Sequence, residues 1–107
     1  MLYNFENVII LCRYSNILPY DRNRVVLDHP IQGCDYVNAS WVRGINESCK
    51  FIAAQGPLNH TLQHFLQMIL ENDVQMVVML TNLQETSAEG KICIRQIKGP
   101  CNNVQTL

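Results

Sequence analysis

A stretch near the N-terminus concentrates side chains that can recognise a group that is both anionic and aromatic. Residues 12–27 read CRYSNILPYDRNRVVL and hold three arginines and two tyrosines. Arginine binds phosphates and carboxylates through a planar fork of donors, and a tyrosine ring packs well against another ring. The segment is therefore either the rim of a ligand site or a polar loop that leads into a strand. Composition alone favours the loop, because a tyrosine beside a loop arginine is usually half-buried packing.

The number and spacing of the cysteines and histidines argue against a metal site and against a disulfide framework. The five cysteines are odd in number, and none lies in a C-x-x-C pair. Such spacing is typical of isolated, reduced cysteines in a cytosolic protein. His60 and His64 are four residues apart on a predicted helix, which suits metal binding, but no third ligand is evident. We expect both histidines to be exposed, and we predict neither a metal nor another cofactor.

Length and charge limit the class of protein. The 107 residues fit at most one domain, and a hydrophobic content of 48% is enough to form a core. Eight basic residues against nine acidic residues give a net charge of −1, which argues against nucleic acid and anionic membranes as partners. No apolar run is long enough to span a bilayer. These features together predict a cytoplasmic protein.

Hydrophobic periodicity predicts an α/β fold, a mixed twisted sheet with a flanking helix, in the order β, β, β, α, β, β. Residues 1–11 should form a turn of helix or an apolar lead-in, and residues 28–30 together with Gln32 and Gly33 the loop that ends the first strand. The long helix should be capped by Asn59 or Thr61 and end near Asn72. The strands are predicted at residues 24–27, 35–42, 50–54, 74–80 and 91–97.

Periodicity also predicts which side chains are buried. In the second strand, Val37, Ala39 and Trp41 should point to one, buried face. The run VQMVVML at residues 74–80 is typical of a strand that is buried on both faces. The inward positions of the helix are predicted to be Leu62, Phe65, Leu66, Ile69 and Leu70, with Gln63, His64 and Gln67 on the opposite side.

Four blocks stand in a specific order: CRYSNILPYDRNRVVL, DYVNAS, FIAAQGPLNHTLQHFLQMI and VVMLTNLQE. In this order and spacing the sequence resembles the classical protein tyrosine phosphatases, roughly from residue 5 to residue 97. The resemblance implies that the 107 residues are the N-terminal part of a tyrosine phosphatase domain, a truncated copy. Three departures are visible, at Cys12, at Leu66 and at residues 96–97. With this drift the sequence is similar to virus-borne phosphatases of parasitoid wasps, which implies the cytoplasm of infected host cells.

The resemblance gives the first block a role in substrate recognition. In the family, the RY pair belongs to the loop that recognises phosphotyrosine, so Tyr14 is expected to pack against the substrate ring. Asn16 stands where many members carry an aspartate that binds backbone N–H groups of the substrate. An amide oxygen can accept such a bond without charge assistance. The predicted binding residues are therefore Tyr14 and Asn16, and the implied partners are phosphotyrosine proteins.

The family's route of hydrolysis needs a thiolate, an arginine six positions later and an aspartate acid on a Trp-Pro-Asp loop. The residues six positions after the five cysteines are Leu18, Ser40, Gln55, Gly99 and Leu107. The only tryptophan, Trp41, is followed by Val42. We therefore predict no catalytic residue in this chain.

Three interpretations stay open: a binding module without catalysis, a fragment of an active phosphatase, and a remnant that does not fold. An uncovered strand at residues 74–80 would in addition favour self-association.

Overall fold

The computed structural model describes residues 5–45, 50–81 and 104–106, the last with their backbone only. The chain forms two compact units, Met1–Glu71 and Asn72–Leu107. The elements are α1 (Phe5–Ile10), β1 (Arg24–Ile31), β2 (Cys34–Arg43), β3 (Lys50–Ala54), α2 (Leu62–Glu71), β4 (Val77–Met79) and β5 (Val104–Thr106). The mixed α/β class predicted from the sequence is confirmed, and α1 is the predicted turn of helix.

The first unit is built on an antiparallel sheet in the order β1-β2-β3. Strand β1 is longer than predicted, because residues 28–30 continue the strand instead of ending it. The reversal comes later, at Gln32 and Gly33, which have φ angles of 51° and 77°. Two successive residues with positive φ form the tight turn whose twist matches an antiparallel pair. The predicted loop is therefore wrong for residues 28–30 and confirmed at Gln32 and Gly33, and Ile31 pairs directly with Cys34.

The predicted hairpin between the second and third strands is confirmed. Strands β2 and β3 pair from Ala39 opposite Ala54 to Arg43 opposite Lys50. Val37 and Ala39 are buried as expected, whereas Trp41 is half-buried. Tyr36, on the opposite face of β2, is also buried. Strand β2 is thus covered on both faces at its centre, which its alternating sequence did not indicate.

Helix α2 packs against β1 and β2 through a face that coincides only in part with the predicted one. Its buried residues are His64, Phe65, Met68 and Ile69, and Thr61 just before it is buried too. These positions follow the spacing of one helical face. Leu66 and Leu70 lie outside it, with exposed fractions of 37% and 69%. The predicted inward positions of Phe65 and Ile69 are therefore confirmed. The predicted inward leucines and outward His64 are wrong, because the face that packs on the sheet contains His64 and Met68 in place of the leucines.

The predicted cap position is confirmed, but the cap works differently. Thr61 precedes the first helical residue, and its carbonyl accepts the N–H of Phe65 at 3.1 Å. Its hydroxyl accepts the backbone N–H of Leu58 at 2.8 Å. The threonine therefore fixes the turn that leads into α2.

The other face of the sheet carries a smaller core. Val8 of α1, Cys12 and Tyr36 are buried together, and Leu11 and Leu18 pack against them. This cluster explains why six residues suffice for α1: its stability comes from apolar packing on β2, since a helix of that length is not stable alone.

The second unit contains a parallel pair, in which β4 lies beside β5. The strand predicted at residues 74–80 is shortened to three residues, and the predicted burial on both faces is wrong. Met76, Val78 and Leu80 are exposed by 54%, 43% and 80%. Strand β5 was not predicted, and the strand predicted at residues 91–97 lies outside the described residues.

Candidate functional site

The segment that follows α1 presents the two predicted binding residues to solvent. The N–H of Ile17 donates to the carbonyl of Tyr14 at 3.1 Å, which closes a four-residue turn. Ser15 and Asn16 are the central residues of this turn, and both are exposed. The Tyr14 side chain is 52% exposed. We call residues 13–17 the recognition loop. Tyr14 and Asn16 are thus both exposed on the same four-residue turn.

Arg13 binds the recognition loop to the loop after β3. Its backbone N–H donates to Oε1 of Gln55 at 3.0 Å. Its guanidinium donates from Nε to the carbonyl of Gly56 at 2.7 Å and from Nη2 to that of Pro57 at 3.1 Å. A planar guanidinium with several fixed acceptors has little freedom to turn. Arg13 is therefore a structural cation, and the ring of the neighbouring Tyr14 is the part of this pair that faces solvent.

Two amide side chains complete the support. Asn38 on β2 donates from Nδ2 to Oε1 of Gln55 at 2.8 Å and to the carbonyl of Ile17 at 3.0 Å. Gln55 donates from Nε2 to the carbonyl of Leu11 at 2.9 Å. The recognition loop is thus tied before Arg13, at Arg13 and at Ile17. Tyr14, Ser15 and Asn16 lie between these fixed points and are exposed.

Further polar contacts brace the scaffold around the loop. Nε2 of His60 lies 2.9 Å from the carbonyl of Ile10, at the end of α1. Arg24 and Asp35 form an ion pair at 3.3 Å between β1 and β2. These bonds connect residues far apart in sequence, so they are a scaffold for the loop and not part of its surface.

A second exposed aromatic residue lies at the end of the same segment. The guanidinium of Arg22 lies 5.3 Å from the ring centroid of Tyr20, within range of a cation–π contact. Tyr20 is 71% exposed. Neither residue is a predicted site residue, although the Tyr-x-Arg spacing of the sequence was the available signal. No contact joins this pair to Tyr14 among the described residues.

Cys12 is adjacent to the recognition loop but is not a nucleophile on its surface. Its thiol is buried, donates to the carbonyl of Val8 at 3.2 Å and lies 3.5 Å from the hydroxyl of Tyr36. Burial, followed by the contact with Cys12, raises the pKa of Tyr36. A thiol that reacts as a nucleophile needs exposure and nearby positive charge. Cys12 is instead part of the core.

The histidine pair does not form a metal site. His64 is buried, and burial, with a smaller effect from His60, lowers the pKa of its imidazole below the usual value of 6.5. A buried neutral imidazole is costly unless its nitrogens have partners. In residues 5–45 and 50–81, no group of three or more His, Cys, Asp or Glu side chains could hold a metal ion. Over the same residues no helix is both long and apolar enough to cross a membrane.

Comparisons with known proteins identify this scaffold. Residues 9–93 match the family model of the protein-tyrosine phosphatases. The chain belongs to this family. It is 51% identical over 76 residues to human receptor-type tyrosine-protein phosphatase alpha and 40% identical over 92 residues to receptor-type tyrosine-protein phosphatase eta of Gallus gallus. These alignments cover 68% and 83% of this chain.

Solved phosphatase structures have the same fold in this region. The structure of PTPN18 in complex with HER2-pY1196 phosphor-peptides superposes with a TM-score of 0.66 at 38% identity. That match covers 77% of this chain and 29% of PTPN18. The chain spans 9% of the alpha phosphatase and 6% of the eta phosphatase. It therefore corresponds to part of a phosphatase domain.

Proposed function

We propose that this chain is a phosphotyrosine-protein recognition module and that it does not hydrolyse phosphate esters by itself. The observation that carries the proposal is the recognition loop, where a fixed Arg13 and the Asn38–Gln55 pair leave Tyr14 exposed at a supported position. A tyrosine held in this way can pack against the ring of a phosphotyrosine. The family relationship supports the choice of ligand, since a related phosphatase has been solved with phosphor-peptides.

Tyr14 and Asn16 have different roles in this proposal. The Tyr14 ring forms the wall against which the substrate ring packs, a contact worth about 0.5–1.5 kcal/mol beyond area burial. Asn16, at the tip of the turn, accepts a backbone N–H of the bound peptide. The proposal assigns no catalytic residue, because no cysteine of the chain is followed six positions later by arginine.

A titration of the 107-residue chain with a fluorescent phosphotyrosine peptide tests this function. We expect Tyr14→Ala to weaken binding by about 2- to 12-fold, the equivalent of the stacking energy. Tyr20→Ala is the matched control, because it removes an aromatic ring of similar exposure outside the recognition loop. Equal affinities of the wild type and Tyr14→Ala, or equal binding of an unphosphorylated peptide, would refute the proposal.

The second candidate is that this chain is a fragment of an active phosphatase. The 51% identity to a receptor-type phosphatase favours it, since that protein is much longer than this chain. In that case hydrolysis would proceed through a cysteinyl phosphate formed by residues outside the chain. Turnover of an aryl phosphate that appears only when a downstream His-Cys-x5-Arg segment is supplied would support this candidate over the binding module.

Localisation and self-association are further parts of the proposal. We propose a cytoplasmic protein, in host cells if the chain is virus-borne, where phosphotyrosine partners occur. We also propose self-association through the exposed apolar side chains Met76, Val78 and Leu80 around β4. Sedimentation equilibrium should show an oligomer that Val78→Lys dissociates and Gln75→Lys, on a polar position of the same segment, does not. A monomer at all concentrations would exclude self-association.

A further inference from the structure

His64 is a buried polar side chain whose two ring nitrogens need an explanation. The residue is 9% exposed, and within the described part of the chain neither Nδ1 nor Nε2 has a hydrogen-bond partner. Buried polar groups in folded proteins are almost always paired, by protein or by ordered water. Leaving them unpaired destabilises the fold, so a native structure with this imbalance would be unusual.

A small cavity borders the imidazole. It lies in the first unit, between α2 and β2, and it has room for about one water molecule. Five of its nine lining residues are apolar or aromatic, among them Leu11, Val37 and Phe65. The four polar lining residues are Asn38, Gln55, Thr61 and His64. A cavity of this size that offers two to four polar partners is the kind that holds an ordered water.

We infer that His64 binds a single buried water in this cavity, and that the water links α2 to the Asn38–Gln55 pair that supports the recognition loop. A neutral imidazole has one N–H donor and one bare nitrogen acceptor that point in divergent directions, so a single water pairs the one ring nitrogen that faces the cavity. The water can then use its remaining bonds on the amide side chains or on Thr61. The inference does not depend on the proposed phosphotyrosine binding, because it concerns the scaffold behind the loop.

The alternatives to a bound water are a larger ligand and a dry cavity. A larger ligand does not fit in a space of one water. An apolar, dry cavity would be compatible with the packing of Val37 and Phe65, but it would leave the imidazole and its polar neighbours facing each other without a bridge. The two cases give opposite results when the imidazole is replaced by a hydrocarbon. In a dry cavity the replacement removes unpaired polar groups and does not lower the stability. In a cavity that holds water, it leaves the other partners of the water without a hydrogen bond and lowers the stability.

Magnetic resonance of the labelled 107-residue chain tests the inference directly. We expect cross-peaks between the ring hydrogens of His64 and a long-lived water, and ring nitrogen shifts typical of one fixed tautomer. Cross-peaks from the ring to another protein hydroxyl or amide hydrogen in place of water would overturn the inference. So would the absence of any cross-peak to water. This measurement uses the wild-type protein and does not require a variant to fold.

Thermal unfolding supplies an independent readout. We expect His64→Leu to lower the melting temperature by several degrees relative to Gln63→Leu. Gln63 is the exposed neighbour on the same helix, so this control corrects for the effect of leucine on helix stability. If His64→Leu melts at the same temperature as this control or above it, the cavity is dry and the inference is wrong.

Discussion

The backbone N–H of Arg13 donates to the side-chain oxygen of Gln55 at 3.0 Å, across 42 positions of sequence. The same oxygen accepts Nδ2 of Asn38 at 2.8 Å, and the Gln55 amide donates to the carbonyl of Leu11 at 2.9 Å. One side chain thus joins the recognition loop to the sheet. Because it is only partly exposed, its polar partners would lose their bonds without regaining full hydration if it were removed.

We predict that Gln55→Ala destabilises the chain by about 2 kcal/mol, since three half-buried partners lose a bond and regain only part of their hydration. Urea unfolding followed by circular dichroism measures the loss. Gln55→Glu keeps the acceptor oxygens but loses the donor to Leu11, and we expect a smaller effect. Gln63→Ala, on an exposed position of α2, is the control. A Gln55→Ala variant as stable as that control would contradict the prediction.

Asn16→Asp is expected to strengthen peptide binding if the proposed role of Asn16 is correct. A carboxylate accepts hydrogen bonds with charge assistance, which adds on the order of 1 kcal/mol over an amide oxygen. The expected gain is about fivefold in affinity, measured with the same fluorescent phosphotyrosine peptide. Ser15→Asp, at the neighbouring exposed position, controls for the added charge alone. An equal gain in both variants would show long-range attraction rather than a bond to residue 16.

The carboxylate of Glu71 makes the stability of the first unit dependent on pH. Its carboxylate accepts Nε2 of Gln67 at 2.8 Å and the backbone N–H groups of Asp28 at 2.8 Å and His29 at 2.7 Å. The Gln67 bond, with the two backbone bonds, lowers the pKa of Glu71 to about 2. The pKa of Glu71 is lower in the folded chain than in the unfolded chain. The stability that this carboxylate contributes is therefore fully present above pH about 4.5 and is lost as the pH falls towards 2.

We therefore predict that Glu71→Gln is less stable than wild type at pH 6 and that the difference shrinks between pH 4.5 and pH 2. Melting temperatures measured across this range provide the test. Glu6→Gln changes an exposed glutamate of α1 and should leave the wild-type profile unchanged. A pH profile of Glu71→Gln parallel to that of the wild type over the whole range would refute the role of this carboxylate.

Sequence patterns predicted the hairpin of β2 and β3 because its strands alternate and a polar turn separates them. They failed where two faces of one element compete. The leucines at 62, 66 and 70 form a helical stripe as regular as the one that His64 and Phe65 occupy, so periodicity could not choose between them. The face of α2 that is buried is determined by its packing against β1 and β2, and these contacts join residues that are distant in sequence. The loop positions of Tyr14 and Asn16 came from the family resemblance, whereas their support by Gln55 depends on long-range hydrogen bonds.

The buried His64 provides the last prediction, a loss of stability in mild acid. Burial lowers the pKa of His64, with a smaller contribution from His60. In the unfolded chain the imidazole of His64 takes up a proton near pH 6.5, whereas in the folded chain it does so only at lower pH. The free energy of unfolding therefore does not depend on this group above pH 6.5 and falls as the pH drops below it. Tyr36 also lines the cavity, and burial raises the pKa of its hydroxyl further above this range.

We expect His64→Gln, which keeps polar atoms beside the cavity but does not titrate, to flatten the decline in melting temperature between pH 7 and pH 5. His60→Gln is the matched control, since His60 is exposed and is the smaller cause of the shift. It should retain most of the decline. This window lies above the one in which Glu71 titrates, so the two effects are separable in one series of melts. If His64→Gln and the wild type decline equally, the acid sensitivity comes from another group, and the buried imidazole is not its source.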